Sequence, residues 1–315
     1  MKLAEKKGAA KKPAPTVYEL LPEIKPGQSI ELLKELHILT REGKLNQDSR
    51  RKLKQVYHLV QFIEPLVKDV LEQPGAAAQG ENKQGVTLVD HGAGKSYLGF
   101  ILYDLLFKGK PAGEGGRIYG IETREELVQK STELAARLGF EGMSFLNLSV
   151  AESTESSKLP ATIDVVTALH ACNTATDDAI RFALARQARH IVLVPCCQAE
   201  VASVLRKNKG KDLGRSALTE IWRHPIHTRE FGSQITNVLR CLQLEAHGYQ
   251  VTVTELVGWE HSMKNELIVA TYKNLPRKRP AERLQQVLAE LGLDEMAQRF
   301  YTDTSASAPA DLTTD

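Results

Sequence analysis

Residues 86 to 99, VTLVDHGAGKSYLG, constrain the fold of this chain more than any other stretch. Val86 to Val89 are mostly apolar and β-prone, which predicts a buried parallel strand. Asp90 sits at the end of that strand. The Gly92-Ala93-Gly94 turn then leads into a helix expected from about Lys95 through Leu98, Ile101, Leu102 and Leu105. A strand–glycine turn–helix unit is a cradle for a nucleotide-type ligand. Its glycines let the backbone come close, and the helix start offers free N–H groups. Spacing separates the ligand classes. A Walker-type phosphate loop would place its first glycine at Val89, inside the strand. A dinucleotide fingerprint would place its third glycine at Tyr97. An ordinary glycine-rich turn is the plain alternative.

The remaining pattern, Asp90-x-Gly92-x-Gly94, resembles motif I of class I S-adenosylmethionine (SAM) methyltransferases. That cofactor carries no pyrophosphate, so a third close backbone approach is unnecessary. Its ammonium suits an acidic network at Asp90. The resemblance implies SAM as cofactor, held by Asp90, Gly92, Ala93 and Gly94.

Composition narrows the setting. The 315 residues are 42% hydrophobic and 25% charged, enough for a sizeable core without disulfides. A net charge of +2 leaves the choice of partner to how charges are distributed. Four cysteines, two of them adjacent at Cys196 and Cys197, do not form a disulfide framework. No apolar run approaches the ~18 residues of a membrane span, and no apolar segment follows the basic N-terminus. A cytoplasmic protein without membrane contact is expected.

Residues 1–16 read as a disordered basic tail. Residues 17–80 read as an N-terminal helical segment, with a long helix from near Asp48 carrying Leu53, Val56, Val60, Ile63 and Val67 on one stripe. Pro65 predicts a kink or split there. Arg50, Arg51, Lys52 and Lys54 oppose the helix dipole at its start. That conflict marks Arg51 and Lys54 as candidate substrate contacts, against a solvated face.

Residues 81–275 alternate strands and helices. Strands are expected at 86–90, 117–122, 143–148, 163–169, 190–195, 250–256 and 266–272. Helices are expected near 95–107, 124–138, 175–187, 197–207 and 231–247. This is an α/β, doubly wound, Rossmann-like sheet whose last two strands form an antiparallel hairpin. Seven strands in this order resemble the class I methyltransferase pattern. Glu122, ending the second strand, is placed to accept ribose hydroxyls. It follows Asp90 by 32 residues, beyond the usual ~20, because of the Lys108–Gly116 loop. The third strand ends near Asn147, where adenine would lie. Residues 276–315 hold a helix around 281–301 and a disordered tail.

The fourth and fifth strands run into His170-Ala171-Cys172-Asn173-Thr174-Ala175-Thr176-Asp177-Asp178 and Pro195-Cys196-Cys197-Gln198. Beyond the carboxyl ends of neighbouring strands, these residues should meet in one crevice. Asp177 and Asp178 read first as acids in a helix's opening turn. His-Ala-Cys-x-x-Ala-Thr-Asp with Pro-Cys-Cys resembles a poorly characterised methyltransferase-like family. So do Arg223-His224-Pro225-Ile226, Gly248-Tyr249, Glu260-His261-Ser262-Met263-Lys264-Asn265 and the Arg51–Val56 helix start. The resemblance covers about residues 48–273. Ser262-Met263 replaces the family's Thr-Pro, and Gln198 stands where the family often has His.

Three chemistries fit the crevice. Cys196 or Cys197 could be a nucleophile with His170 lowering its pKa. His170, Cys172, Cys196 and Cys197 could form a metal set, though adjacent cysteines chelate one metal awkwardly. In the least demanding, His170, His224 or His261 takes a proton while acceptor and methyl are aligned. The catalytic candidates are His170, Cys172, Cys196, Cys197 and His261. His170 also faces the cofactor, and no metal is assigned. Trp222, Arg223, His224 and His227, with Trp259, suit stacking on an unpaired base or lining a pocket. Arg223, His224, Trp259, Lys264 and Asn265 are taken as substrate contacts. The expected function is SAM-dependent methyl transfer to RNA, rRNA or tRNA. A protein or small-molecule acceptor, or a non-catalytic SAM- or RNA-binding module, is the alternative.

Overall fold

The computed structural model describes residues 21–72, 85–110, 115–169, 174–195, 198–207, 217–256 and 266–302. Two compact units are present, one up to Leu53 and one from Lys54 onward. In the first, α1 (Ile30–Glu35) starts where the Ser29 side chain accepts from the Leu32 N–H, an N-cap bond. Ile24, Leu32, Leu33, Leu36, Ile38 and Leu39 are buried there. Helix α2 (Gln47–Glu72) begins in this unit and continues into the second as one element, unsplit at Pro65.

The second unit is built on a seven-stranded sheet of order β3-β2-β1-β4-β5-β7-β6. Its strands are β1 (Val86–His91), β2 (Gly116–Glu122), β3 (Met143–Asn147), β4 (Val165–Leu169), β5 (His190–Val194), β6 (Tyr249–Glu255) and β7 (Glu266–Tyr272). The first five are parallel. β7 runs antiparallel to both β5 and β6. The expected fold class and terminal hairpin are therefore present. Central strands β1, β4 and β5 are apolar runs covered on both faces.

Alternation along the strands separates the faces. Val89, Val166, Ala168, Ile191, Leu193, Ile268 and Ala270 pack with α6 (Thr174–Ala185) and α8 (Pro225–Ala246) through Ile180, Phe182 and Leu244. On the other face, α2 reaches the sheet through Asp69. One oxygen of Asp69 lies 2.9 Å from His190 Nε2 and accepts from Arg189 Nε at 2.8 Å. A second layer forms where α7 (Glu200–Lys207), α8 and α9 (Lys278–Glu290) pack Leu205, Leu239, Leu284, Leu288 and Phe300 together.

Several boundaries differ from the sequence reading. Helix α3 starts at Tyr97, not Lys95, and ends at Leu102 before a π-helical turn, Tyr103–Phe107. Between it and α6, α4 spans Glu125–Leu138 and α5 spans Val150–Glu155. α5 was not expected, although Ser149-x-x-Glu152 is a capping box with both reciprocal bonds present. α8 begins at Pro225, six residues before the expected 231, because Pro is pre-organised for the first helical position. Among the described residues no helix is long and apolar enough to cross a membrane.

Phe182 is fully buried and packs edge-on against His91, ring centroids 4.6 Å apart. Phe182→Ala is expected to lower unfolding stability by about 3–5 kcal/mol, measured by urea denaturation.

Candidate functional site

The carboxyl ends of β1, β2 and β4 bring Asp90, Glu122 and Thr167 to one edge. In register, Asp90 stands beside Gly120 and Thr167. The Thr167 hydroxyl donates to Asp90 Oδ1 at 2.7 Å, and both residues are buried. Burial pushes the Asp90 carboxyl up to about 7, against the opposing Thr167 bond. A buried carboxylate whose one hydrogen-bond partner among the described residues is a neutral hydroxyl suits a nearby cation.

The turn behind it is shaped by backbone conformation. Gly92 and Gly94 have φ of +65° and +58°. A Cβ on Gly92 would meet nothing within 4 Å, and one on Gly94 would come no closer than 3.7 Å to Arg124 Nη2. Both glycines are therefore required for left-handed φ, not for room. Ser96 follows at φ +52°, fully buried. At Gly99 space does decide, since a Cβ there would lie 2.6 Å from Ser96 Oγ. The Ala93 N–H donates to Ile121 O at 3.0 Å, which ties the turn to β2.

Glu122 closes the edge. Its Oε2 accepts from the Gly94 N–H at 2.8 Å and from Arg124 Nη2 at 3.1 Å. Its Oε1 accepts from Arg124 Nε at 2.9 Å and the Arg124 N–H at 3.1 Å. Burial pushes Glu122 up, but the Arg124 bonds and charge and the Gly94 N–H outweigh it and bring it down to about 2. Asn147 donates through Nδ2 to the carbonyls of Glu122 and Thr123 at 3.1 and 2.8 Å. Its described role is thus to fix the acidic strand end. Arg124 escaped the sequence reading, although it lies only two residues past Glu122.

His91, on the opposite face from Asp90, is buried. Its Nε2 lies 3.0 Å from Ser153 Oγ. Ser153 donates its own proton to Val150 O at 2.6 Å, so the bond to His91 runs from Nε2–H to Oγ. Nδ1 then has no hydrogen-bond partner among the described residues. Burial pulls His91 down to about 3, so the ring is neutral.

Other predicted site residues fall differently. Arg51 and Lys54 are exposed on the opening turns of α2. Arg223 and His224 are exposed just ahead of α8, and the His224 and His227 rings meet edge-on at 5.3 Å. Trp222, read as suited to stacking on an unpaired base or lining a pocket, is 3% exposed and packs edge-on against Phe231 at 5.3 Å, too buried to stack on a base. Its short 3₁₀ segment, Ala217–Arg223, joins the α7–α8–α9 layer, which buries the indole. His170, Cys172, Cys196, Cys197, Trp259, His261, Lys264 and Asn265 lie outside the described residues. Cys241 is free, and burial first, then Glu266 and Glu245, push its thiol up to about 12. It is no nucleophile at neutral pH.

Sequence reading also missed Arg240, which is 0% exposed on α8. The signal available was a stripe of polar residues, Asn237, Arg240 and Gln243, at helical spacing on a buried face.

The folded protein holds the Asp90 proton up to about pH 7, whereas the unfolded chain releases it near 3.8. Stability from that proton is therefore complete below the unfolded value and lost as pH rises through 7. Asp90→Asn, neutral throughout and able to keep the Thr167 bond, is expected to stabilise the ligand-free protein at pH 8 by up to about 4 kcal/mol. The gain should shrink toward pH 4, as read by urea denaturation across that range.

A family model described as a methyltransferase domain matches residues 51–204. Comparison with curated proteins gives no match. Solved structures similar to this chain include magnesium protoporphyrin IX methyltransferase from Synechocystis, 16% identical, covering 78% of this chain and 96% of that one, TM-score 0.41. An rRNA methylase from Streptococcus thermophilus is 10% identical, covering 69% and 96%, TM-score 0.42. Precorrin-6y C5,15-methyltransferase from Geobacter metallireducens is 16% identical, covering 60% and 81%, TM-score 0.35. The family match places a methyltransferase domain over residues 51–204.

Proposed function

We propose that this chain transfers a methyl group from SAM to RNA. SAM supplies an electrophilic methyl on a sulfonium. Asp90, with its raised carboxyl, would hold the ammonium end. Gly92, Ala93 and Gly94 would lie along the backbone of the ligand, and Glu122 would accept from its ribose. Asn147 would keep that strand end in place. The donor set fits: a buried acid met among the described residues by the neutral Thr167 hydroxyl suits the ammonium, and the ionised Glu122 would take ribose hydroxyls in exchange for bonds it now accepts from Arg124.

The single observation that carries an RNA acceptor is the head of α8. β6 runs parallel to β5 through two antiparallel pairings, so α8 returns from the crevice edge to the opposite edge. Asn237 bonds Glu266 at the opening of β7, which marks the level of that edge. Pro225 lies 12 residues earlier, roughly three turns beyond it. There Arg223, His224, His227 and Arg229 are exposed beside Ile226, 55% exposed. Cations next to ring faces suit phosphates and unpaired bases together. In this reading Arg51 and Lys54 add phosphate contacts, and Trp259, Lys264 and Asn265 complete the acceptor side. His170, His224 or His261 would take the acceptor's proton, and Cys172, Cys196 and Cys197 are the remaining catalytic candidates. The cytoplasm is the setting this reading implies.

Labelled methyl from SAM, supplied with the purified protein to a lysate of a strain lacking it, is expected in the RNA fraction. Label in protein or in small molecules would overturn the RNA acceptor, and no label with SAM binding confirmed would favour a binding module. Gly94→Val is expected to weaken SAM binding at least tenfold, because a β-branched residue resists positive φ. Unchanged affinity in a calorimetric titration of the folded variant would remove the glycine turn from the cofactor site.

A further inference from the structure

Arg240 carries a charge in the middle of α8 with no solvent exposure at all. Its Nε donates to Asp177 Oδ1 at 2.6 Å. Its Nη1 donates to Asn237 Oδ1 at 3.1 Å. With the Gln198 amide oxygen turned toward the guanidinium, that oxygen lies 2.5 Å from Nη1 and 2.7 Å from Nη2. Asn237 passes the contact on, donating through Nδ2 to Glu266 Oε2 at 2.7 Å. Asp177 also meets Arg299 Nε at 3.0 Å, and Arg299 pairs with Glu200.

The chain positions of these partners are the point. Asp177 lies in the opening turn of α6, four residues after Asn173. Gln198 directly follows Cys197. Glu266 directly follows Asn265 and opens β7. Each is thus rooted at one end of a segment that carries predicted acceptor-side residues: His170 and Cys172, Cys196 and Cys197, and Trp259 to Asn265. The guanidinium meets Asp177 and Gln198 directly and Glu266 through Asn237, engaging Nε, Nη1 and Nη2 from a planar fork whose fixed spread a lysine's single ammonium nitrogen does not reproduce. A buried charge is a poor way to gain stability when an apolar core would serve. A network tying three separate segments gains register instead.

We propose that Arg240 is a positioning residue for methyl transfer, holding the roots of the three acceptor-side segments in fixed register through Asp177, Gln198 and the Asn237–Glu266 bond. This rests on the methyltransferase reading above. Asp90 and Glu122 take no part in the network, so the tie acts on the acceptor side and leaves the described cofactor-side bonds in place.

The test uses the full chain and single substitutions. Gln198→Leu severs one arm and Asn237→Leu another. Arg240→Lys keeps the charge but loses the fork, and the two milder variants cover its failure to fold. Binding of S-adenosylhomocysteine is expected to stay within twofold of wild type. The rate of methyl transfer to the labelled fraction should fall at least tenfold in kcat. Amide hydrogen exchange should rise around residues 198–202 in Gln198→Leu and around 266–268 in Asn237→Leu, and at both plus 174–178 in Arg240→Lys. Wild-type kcat in the folded variants, or cofactor affinity falling in step with transfer, overturns the proposal. So does exchange that rises uniformly over the sheet. A wild-type protein that methylates no fraction sinks the methyltransferase reading instead, while localised exchange still reports the tie.

Discussion

Two polar side chains at the carboxyl end of β1 are buried on opposite faces of the sheet, and much of the site follows from how each is handled. Asp90 faces one way with the Thr167 hydroxyl as its partner, and His91 faces the other against Phe182 and Ser153. A strand placing an acid and an imidazole side by side in sequence cannot bury both in one apolar layer without large desolvation costs. Period-two alternation separates them. His91 settles as a neutral ring, held by a hydroxyl whose own proton is fixed on Val150 O. Asp90 has no such resolution, and its displaced pKa is stored demand for a positive group. The glycine turn follows at once, with Gly92 and Gly94 both at positive φ.

The turn is in turn fixed from β2. Glu122 accepts from the Gly94 N–H, and the Arg124 fork holds the same carboxylate bidentately. Such charge-assisted pairs are geometrically specific. The carboxylate is therefore ionised and oriented without any ligand, a pre-organised acceptor. Asn147 extends the arrangement to β3 by holding the backbone of residues 122 and 123. Neighbouring strand ends thus support one another through bonds that depend on register, and a slip of one residue in β2 would move Glu122 to the wrong face.

The strand ends and glycine turn of this half of the proposed site were legible in the sequence for a physical reason. Its determinants are local: an apolar run, an acid at its end, two glycines at a fixed spacing, and an acid ending the next strand. Strand alternation and glycine conformation act over a few residues, so a sequence window contains them. Other features were legible but overlooked, such as the Ser149-x-x-Glu152 capping box and the proline that starts α8. Trp222 misled because an aromatic among Arg and His reads as exposed, whereas its burial depends on α9, more than 50 residues further on. At Pro65 the helix runs on as one element and does not split.

Arg240 marks the limit of such reading. It lies 63 residues from Asp177 and meets Gln198, two residues ahead of α7. No local propensity predicts which charge will be sealed inside a helix layer, because that depends on which segments converge there. The two halves of the proposed crevice would then rest on different physics. The cofactor side would rest on backbone geometry at the ends of adjacent parallel strands, which any sequence with the right glycines and acids can reproduce. The proposed acceptor side would hang from side-chain ties on a long helix, which must be specified atom by atom. A scaffold divided this way can keep its cofactor chemistry constant while its acceptor side changes by exchanging a few buried polar contacts. Arg240 sits where such an exchange would act.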